Sequence, residues 1–157
     1  MERPAIVCVG SIIIDDIVLP DGVTRMGVLG GGVSHAAAGA AAWGERPGIV
    51  ACLGRDLPAA ARDRLARDFD LQGVIALDVP QARAWQVFEW DGRRTEIFRV
   101  DVLEPFLTDP QPEQVSVAYE AARGLHLLRP AGDVAGWRAR FAAATILWEP
   151  SQHFMVA

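Results

Sequence analysis

Two short stretches of this chain carry residues able to do chemistry. The first is Asp15-Asp16, two acids set inside the apolar run Ile12-Ile13-Ile14-Asp15-Asp16-Ile17-Val18. Carboxylates in such a run need partners, and a carboxylate accepts two or more O–H donors, which suits a polyol. The same pair also fits a solvated strand end. The second stretch is Gly30-Gly31-Gly32-Val33-Ser34-His35, which runs directly into Ala36-Ala37-Ala38-Gly39-Ala40-Ala41-Ala42-Trp43-Gly44. Glycine lets backbone approach a ligand closely and tolerates positive φ. The alanines favour helix, Ser34 suits the N-cap and Gly44 suits the C′ position. A glycine turn feeding a helix N-terminus presents free N–H groups and partial positive charge to hydroxyl, phosphate or carboxylate groups. The same unit also serves as a plain turn that packs a small-residue helix against a sheet. For His35, contact with a ligand and simple capping of the helix start both remain open.

The elements that must position these residues follow from pattern. Residues 5–9 and 12–19 read as two early strands, and residues 48–53 as a continuous apolar run typical of a doubly covered parallel strand. Gly54-Arg55-Asp56-Leu57-Pro58 turns the chain into an amphipathic helix over 59–69, with Leu65 and Phe69 one turn apart. Residues 74–79, 84–90 and 95–100 are strand-like, and Asp91-Gly92 marks a hairpin, so an antiparallel segment is expected here. Trp85, Trp90 and Phe98 read as hairpin core or interface, because alternation accounts for them. A helix is expected over 112–123, a strand over 125–128, a helix over 134–143 and a strand over 145–148. Glu149-Pro150 then lies at the carboxyl end of the last strand, the edge where ligands sit in open α/β sheets. The pattern predicts an α/β fold: a mostly parallel sheet flanked by helices, with a small antiparallel β insertion.

Composition excludes several classes. The chain has 157 residues, 51% hydrophobic and 22% charged, which fits one globular domain. Its net charge of −5 is spread along the chain without a basic block, which argues against nucleic acid and anionic membrane as partners. All 15 basic residues are arginine, so no lysine is present for Schiff-base or phosphate-loop chemistry. His35, His126 and His153 lack metal-ligand spacing, and Cys8 and Cys52 lie in apolar runs as buried reduced thiols. No metal site is predicted. Without a signal peptide or a long apolar run, the expected location is cytoplasmic.

In their order, these residues resemble the amino-terminal half of the ribokinase-like PfkB family of carbohydrate and nucleoside kinases. The resemblance begins at Val7-Cys8-Val9-Gly10-Ser11, passes through Asp15, and is strongest from Gly30-Gly31 to Gly44, where the family's first signature places two glycines, a polar residue and a small-residue helix. Ala51-Cys52-Leu53-Gly54-Arg55-Asp56 is similar to the family's strand and Gly-x-Asp turn. The resemblance implies a ribokinase-like fold and transfer of the ATP γ-phosphoryl group to a hydroxyl of a sugar, nucleoside or similar polyol, with ATP and Mg as cofactors of the complete protein. It implies substrate contacts at Asp15, Gly30, Gly31 and His35; a homo-oligomer through the antiparallel insertion is a further expectation.

The departures are equally specific. His35 stands where sugar kinases of the family commonly carry asparagine, and Ile13 where ribokinase-type members have a polar ribose contact. The Leu127-Leu128-Arg129 region offers no acidic substrate contact, and residues 19–29 are short for the family's lid hairpin. The second family signature, Asp-Thr-x-Gly-Ala-Gly-Asp, supplies catalytic base and anion hole, and nothing in the chain matches it. Residues 1–157 are therefore expected to be the amino-terminal part of a truncated kinase domain, inactive alone and prone to self-association. The alternative is a non-catalytic polyol-binding or protein-interaction module built on the same fold. A dinucleotide-binding enzyme fits poorly, since His35 stands where the Gly-x-Gly-x-x-Gly pattern needs glycine.

Overall fold

The computed structural model describes residues 3–99, 110–128 and 134–150. Five strands form a parallel sheet: β1 (Ile6–Val9), β4 (Gly48–Gly54), β5 (Asp70–Leu77), β8 (Gly124–Leu128) and β9 (Thr145–Glu149), in the order β5-β4-β1-β8-β9. β1 is central and apolar on both faces, as a strand covered on both sides requires. Cys8 points into one layer with Ile49, Ala51, Val33, Ala37 and Leu65, while Val7 and Val9 point into the other with Tyr119, Leu125, Trp137 and Phe141. Helices α1 (Gly32–Ala42) and α2 (Ala59–Asp68) cover the first face, and α3 (Val134–Arg140) lies on the second. Leu65 and Phe69 are both buried, as their spacing predicts.

A second sheet holds β2 (Ile13–Val18), β3 (Thr24–Gly30), β6 (Arg83–Phe88) and β7 (Arg94–Phe98), in the order β3-β2-β6-β7. The hairpins β2–β3 and β6–β7 are antiparallel, but β2 and β6 run parallel, so this sheet is mixed. Residues 13–30, as β2–β3, therefore supply only half of the small sheet, and the other half comes from β6–β7. Trp90 lies exposed in the β6–β7 turn, Trp85 is half-buried, and Phe98 packs on the small core of Ile13, Ala82 and Ala84.

Three expectations are corrected. The strand placed at 74–79 begins earlier, at Asp70, and pairs parallel with β4 in the large sheet instead of joining the insertion. The helix expected over 112–123 is two 3-10 turns, Pro112–Gln114 and Val117–Tyr119, separated by extended Val115. Ser116 caps the second turn by accepting from the Ala118 N–H, and β-branched Val115 and Val117 disfavour a continuous helix. The third concerns Ser34, which is not the N-cap: Gly31 is, with φ of 91°, and Ser34 lies within α1. The end of the predicted strand at Val100, and the segments holding Arg129 and His153, lie outside the described residues.

Cys8 is buried and its thiol is pushed up to about 12 by burial, while Cys52 is partly exposed. Among the described residues, no helix is long and apolar enough to cross a membrane.

Candidate substrate-binding site

The connection from β1 to α1 sets the site. Beyond Val9 the chain passes Gly10, whose N–H donates to the Val50 carbonyl at 3.1 Å, and enters the small sheet. It returns through β3 into Gly30, Gly31 and α1. A Cβ on Gly31 would run into the Ser11 carbonyl, and one on Gly32 would meet the Leu128 side chain at 3.0 Å. The α1 N-terminus thus sits over the carboxyl ends of β1 and β8. That is the point where the strand order turns from the β4 side to the β8 side, the usual ligand crevice of an open α/β sheet. The helix leaves cleanly at its other end: Gly44, at φ of 84°, donates to the Ala41 carbonyl at 3.0 Å.

The structure brings Asp15, Gly30, Gly31 and His35 together at this point. Gly30 pairs with Ile13 across β2–β3, and a Cβ on it would collide with Asp15 Oδ2, so the carboxylate lies directly over this glycine. Ser34 Oγ is within hydrogen-bond distance of both the Gly30 carbonyl (3.0 Å) and the Gly31 carbonyl (2.8 Å), which pins the loop from inside the helix. His35 Nδ1 lies 2.9 Å from the Gly31 carbonyl. A carbonyl only accepts, so Nδ1 carries the proton in that contact. His35 is exposed and borders a cavity of about 380 Å³ with Val28, Leu29, Ala38 and Arg64.

The two adjacent acids have separate fates. Asp16 is buried and held by Arg83, Nε to Oδ2 at 2.6 Å and Nη2 to Oδ1 at 2.8 Å, and it also accepts the Gly27 N–H at 2.9 Å. The Arg83 hydrogen bonds hold its carboxyl below the usual carboxylate range. Asp15 faces the opposite side of β2, and its carboxyl is raised because burial outweighs the Gln86 hydrogen bond; Glu96 adds to the rise, while His35 and Arg94 oppose it. The acid pair is therefore one structural ion pair and one half-buried carboxylate facing the crevice.

Sequence reading missed Gln86 and Glu96. Gln86 Nε2 donates to Asp15 Oδ1 at 3.0 Å and to Glu96 Oε1 at 2.8 Å. The signal for half of this was present, since the turn at Asp91-Gly92 fixes the register that sets Gln86 opposite Glu96. Nothing local announces the parallel pairing of β2 with β6 that brings Gln86 to Asp15.

The Gly54-Arg55-Asp56 turn has an architectural role. Gly54 donates to Gln81 Oε1 at 2.8 Å, the Gln81 N–H donates to Asp56 Oδ1 at 2.5 Å, and Gln81 Nε2 donates to the Ile12 carbonyl at 2.7 Å. Buried Gln81 thereby ties β4, the entry to β6 and the entry to β2 together. At the far strand ends, His126 Nε2 lies 3.5 Å from Glu149 Oε2. A separate cavity of about 600 Å³, lined by Arg3, Arg46, Asp70 and Arg123, lies where β1, β4 and β8 begin and does not meet this site.

No protein-family model matches the chain, and no curated protein matches it. Solved structures do. A fructokinase with bound ATP from Xylella fastidiosa superposes with a TM-score of 0.73 at 21% identity, covering 96% of this chain and 49% of that one. A PfkB protein from Polaromonas sp. JS666 gives 0.73 at 15% identity, over 94% of this chain and 55% of that one. A Methanocaldococcus jannaschii nucleoside kinase, described as an archaeal member of the ribokinase family, gives 0.68 at 14% identity, over 100% and 56%. The fold is thus ribokinase-like, as the resemblance implied, and the chain spans about half the length of these kinases.

Proposed function

We propose that this chain is the substrate-binding portion of a kinase that transfers the γ-phosphoryl group of ATP to a hydroxyl of a sugar, nucleoside or related polyol. Asp15, Gly30, Gly31 and His35 form its substrate site. The observation that carries this reading is the half-buried Asp15 carboxylate seated over Gly30, at the carboxyl end of the parallel sheet and beside the α1 N-terminus. The likeness to a fructokinase and a nucleoside kinase supports it.

Each residue has a defined task under this reading. Asp15 accepts hydrogen bonds from one or two substrate hydroxyls. Gly30 leaves room for that carboxylate and lets the backbone close over the substrate, which a side chain would prevent. Gly31 aims the α1 N-terminus at the crevice, where its N–H groups donate to a substrate hydroxyl oxygen. His35 Nε2 hydrogen-bonds a further hydroxyl.

ATP and Mg²⁺ belong to the complete protein under this reading. The described residues here do not fit a nucleotide–metal site: no three His, Cys, Asp or Glu among them gather as a metal would require, and the chain has no lysine for a phosphate. No step is therefore derived through them, and the chain alone is expected to transfer no phosphoryl group. The same lack of fit favours the second reading, a module that binds a polyol or a partner protein without catalysis. Translating the source locus past the Ala157 codon separates the two. A Gly-Ala-Gly-Asp segment downstream supports the kinase, and its absence from every frame favours the binding module.

Calorimetric titration of the chain with pentoses, hexoses and nucleosides tests the site itself. Binding that Asp15→Ala weakens at least tenfold is expected, the order of a hydrogen bond to a charged group. Equal binding by Asp15→Ala removes Asp15 from the site.

A further inference from the structure

Strand pairing puts a second set of polar groups on the Asp15 face of the small sheet. Asp15 pairs with Ala84, which pairs with Phe98; two residues further along, Ile17 pairs with Gln86 and Gln86 with Glu96. Alternation places all of these on one face, with Asp16, Trp85 and Ile97 on the other. Gln86 is 5% exposed and stands between the two acids, its Nε2 donating to both. Two carboxylates can only accept, so the amide nitrogen must face them and the carbonyl oxygen must point elsewhere. That oxygen, Oε1, is buried and has no hydrogen-bond partner. A buried acceptor without a donor carries its full desolvation cost, which the two hydrogen bonds given by Nε2 offset.

Asp15 and Glu96 thus present acceptor oxygens, with Gln86 Nε2 held between them and Oε1 buried away from both. Two carboxylates are bridged by one neutral amide, and the basic groups that act on Asp15 are His35 and Arg94, both exposed. Hydroxyls satisfy such a wall, an ammonium group satisfies it better because it brings three donors and a positive charge, and an acid is repelled.

We propose that Gln86 and Glu96 are specificity-determining residues, which with Asp15 select a polyol bearing an ammonium group over its neutral counterpart and reject the corresponding sugar acid. The inference rests on the substrate-binding reading above and adds the charge class of the substrate to it.

The test uses the whole chain and matched sets of pentose and hexose compounds, each as amino sugar, neutral sugar and sugar acid, with affinity read by calorimetry and ligand-observed NMR. The expected order is amino sugar, neutral sugar, sugar acid, with a roughly tenfold step between the first two. Glu96→Gln is expected to reduce that step to less than threefold while neutral-sugar binding persists. Gln86→Met, similar in length but without the amide, is expected to weaken all members. Should Gln86→Met fail to fold by circular dichroism, Glu96→Gln carries the test alone. Equal affinity for amino and neutral sugars, or a preference that Glu96→Gln leaves intact, overturns this inference and leaves the polyol site standing. Absence of any binding, or binding that Asp15→Asn does not weaken, overturns the substrate-site reading and this inference with it.

Discussion

Asp15 and Asp16 are chain neighbours with opposite electrostatic histories, and that difference predicts opposite responses to mutation. The Arg83 pair lowers the Asp16 carboxyl in the folded state, so its stabilisation is present above the unfolded carboxyl value of 3.8 and is lost as pH falls through the lower folded value. Asp15 is raised by burial, so its ionisation opposes folding, and acidification through its folded value relieves that cost. Asp16→Asn is therefore expected to lose about 3 kcal/mol at neutral pH, the order for breaking a buried pair on one side, and to flatten the loss of stability below about pH 4. Asp15→Asn is expected to unfold at the same denaturant midpoint as the parent or a higher one. Urea titrations of both variants at pH 7 and pH 3 check this. An Asp15→Asn protein as unstable as Asp16→Asn would place Asp15 in the scaffold instead of the site. Gly30→Ala argues the same point by geometry, because its methyl displaces the Asp15 carboxylate. Polyol binding should fall at least tenfold with the far-ultraviolet dichroism retained, and undiminished binding would detach Gly30 from the site.

Elements were legible where one residue type enforces them. The buried parallel strands around Val7, Ile49 and Leu125 follow from continuous apolar runs, and α1 follows from its alanines between Gly31 and Gly44. Ser34 misled because serine is a good N-cap in general, but Gly31 already takes the positive φ that turns the chain into α1. Tyr119 links the 112–123 segment to the reassigned β5. Its hydroxyl donates toward Asp70 at the start of β5 and accepts the Gly73 N–H at 3.2 Å, contacts across 46 to 49 residues that local pattern cannot register. Of the candidate site, Asp15, Gly30, Gly31 and His35 could be proposed from the chain, whereas Gln86 reaches them only through the β2–β6 pairing. Gly31→Ala is the test at this scale. The strained φ costs about 1–3 kcal/mol and the methyl also meets the Ser11 carbonyl, so the thermal midpoint should drop by several degrees. A midpoint unchanged from the parent would mean that α1 begins without that conformation.

At the scale of the whole molecule, the chain covers about half of the kinases it resembles, and its surface bears on that fraction. Among the described residues β9 is the outer strand next to β8, and its Leu147 and Trp148 are 60% and 46% exposed. An outer strand with apolar side chains on both faces is a template for pairing. The outward face of the small sheet offers a second route, with Met26 and Ile97 about half exposed. Self-association is expected, and the two routes are separable by charge. Leu147→Lys with Trp148→Lys should shift light-scattering mass toward the monomer if β9 is the contact, since lysine on an outer strand blocks edge pairing. Ile97→Lys should do so if the small sheet is the contact. The distinction reaches back to the site, because β2 and β6 carry Asp15 and Gln86 in the small sheet. Association through that sheet should alter polyol affinity with protein concentration, whereas association through β9 should leave it constant. A clean monomer at high concentration removes both routes, and with them the expectation that this half of the fold needs a partner surface.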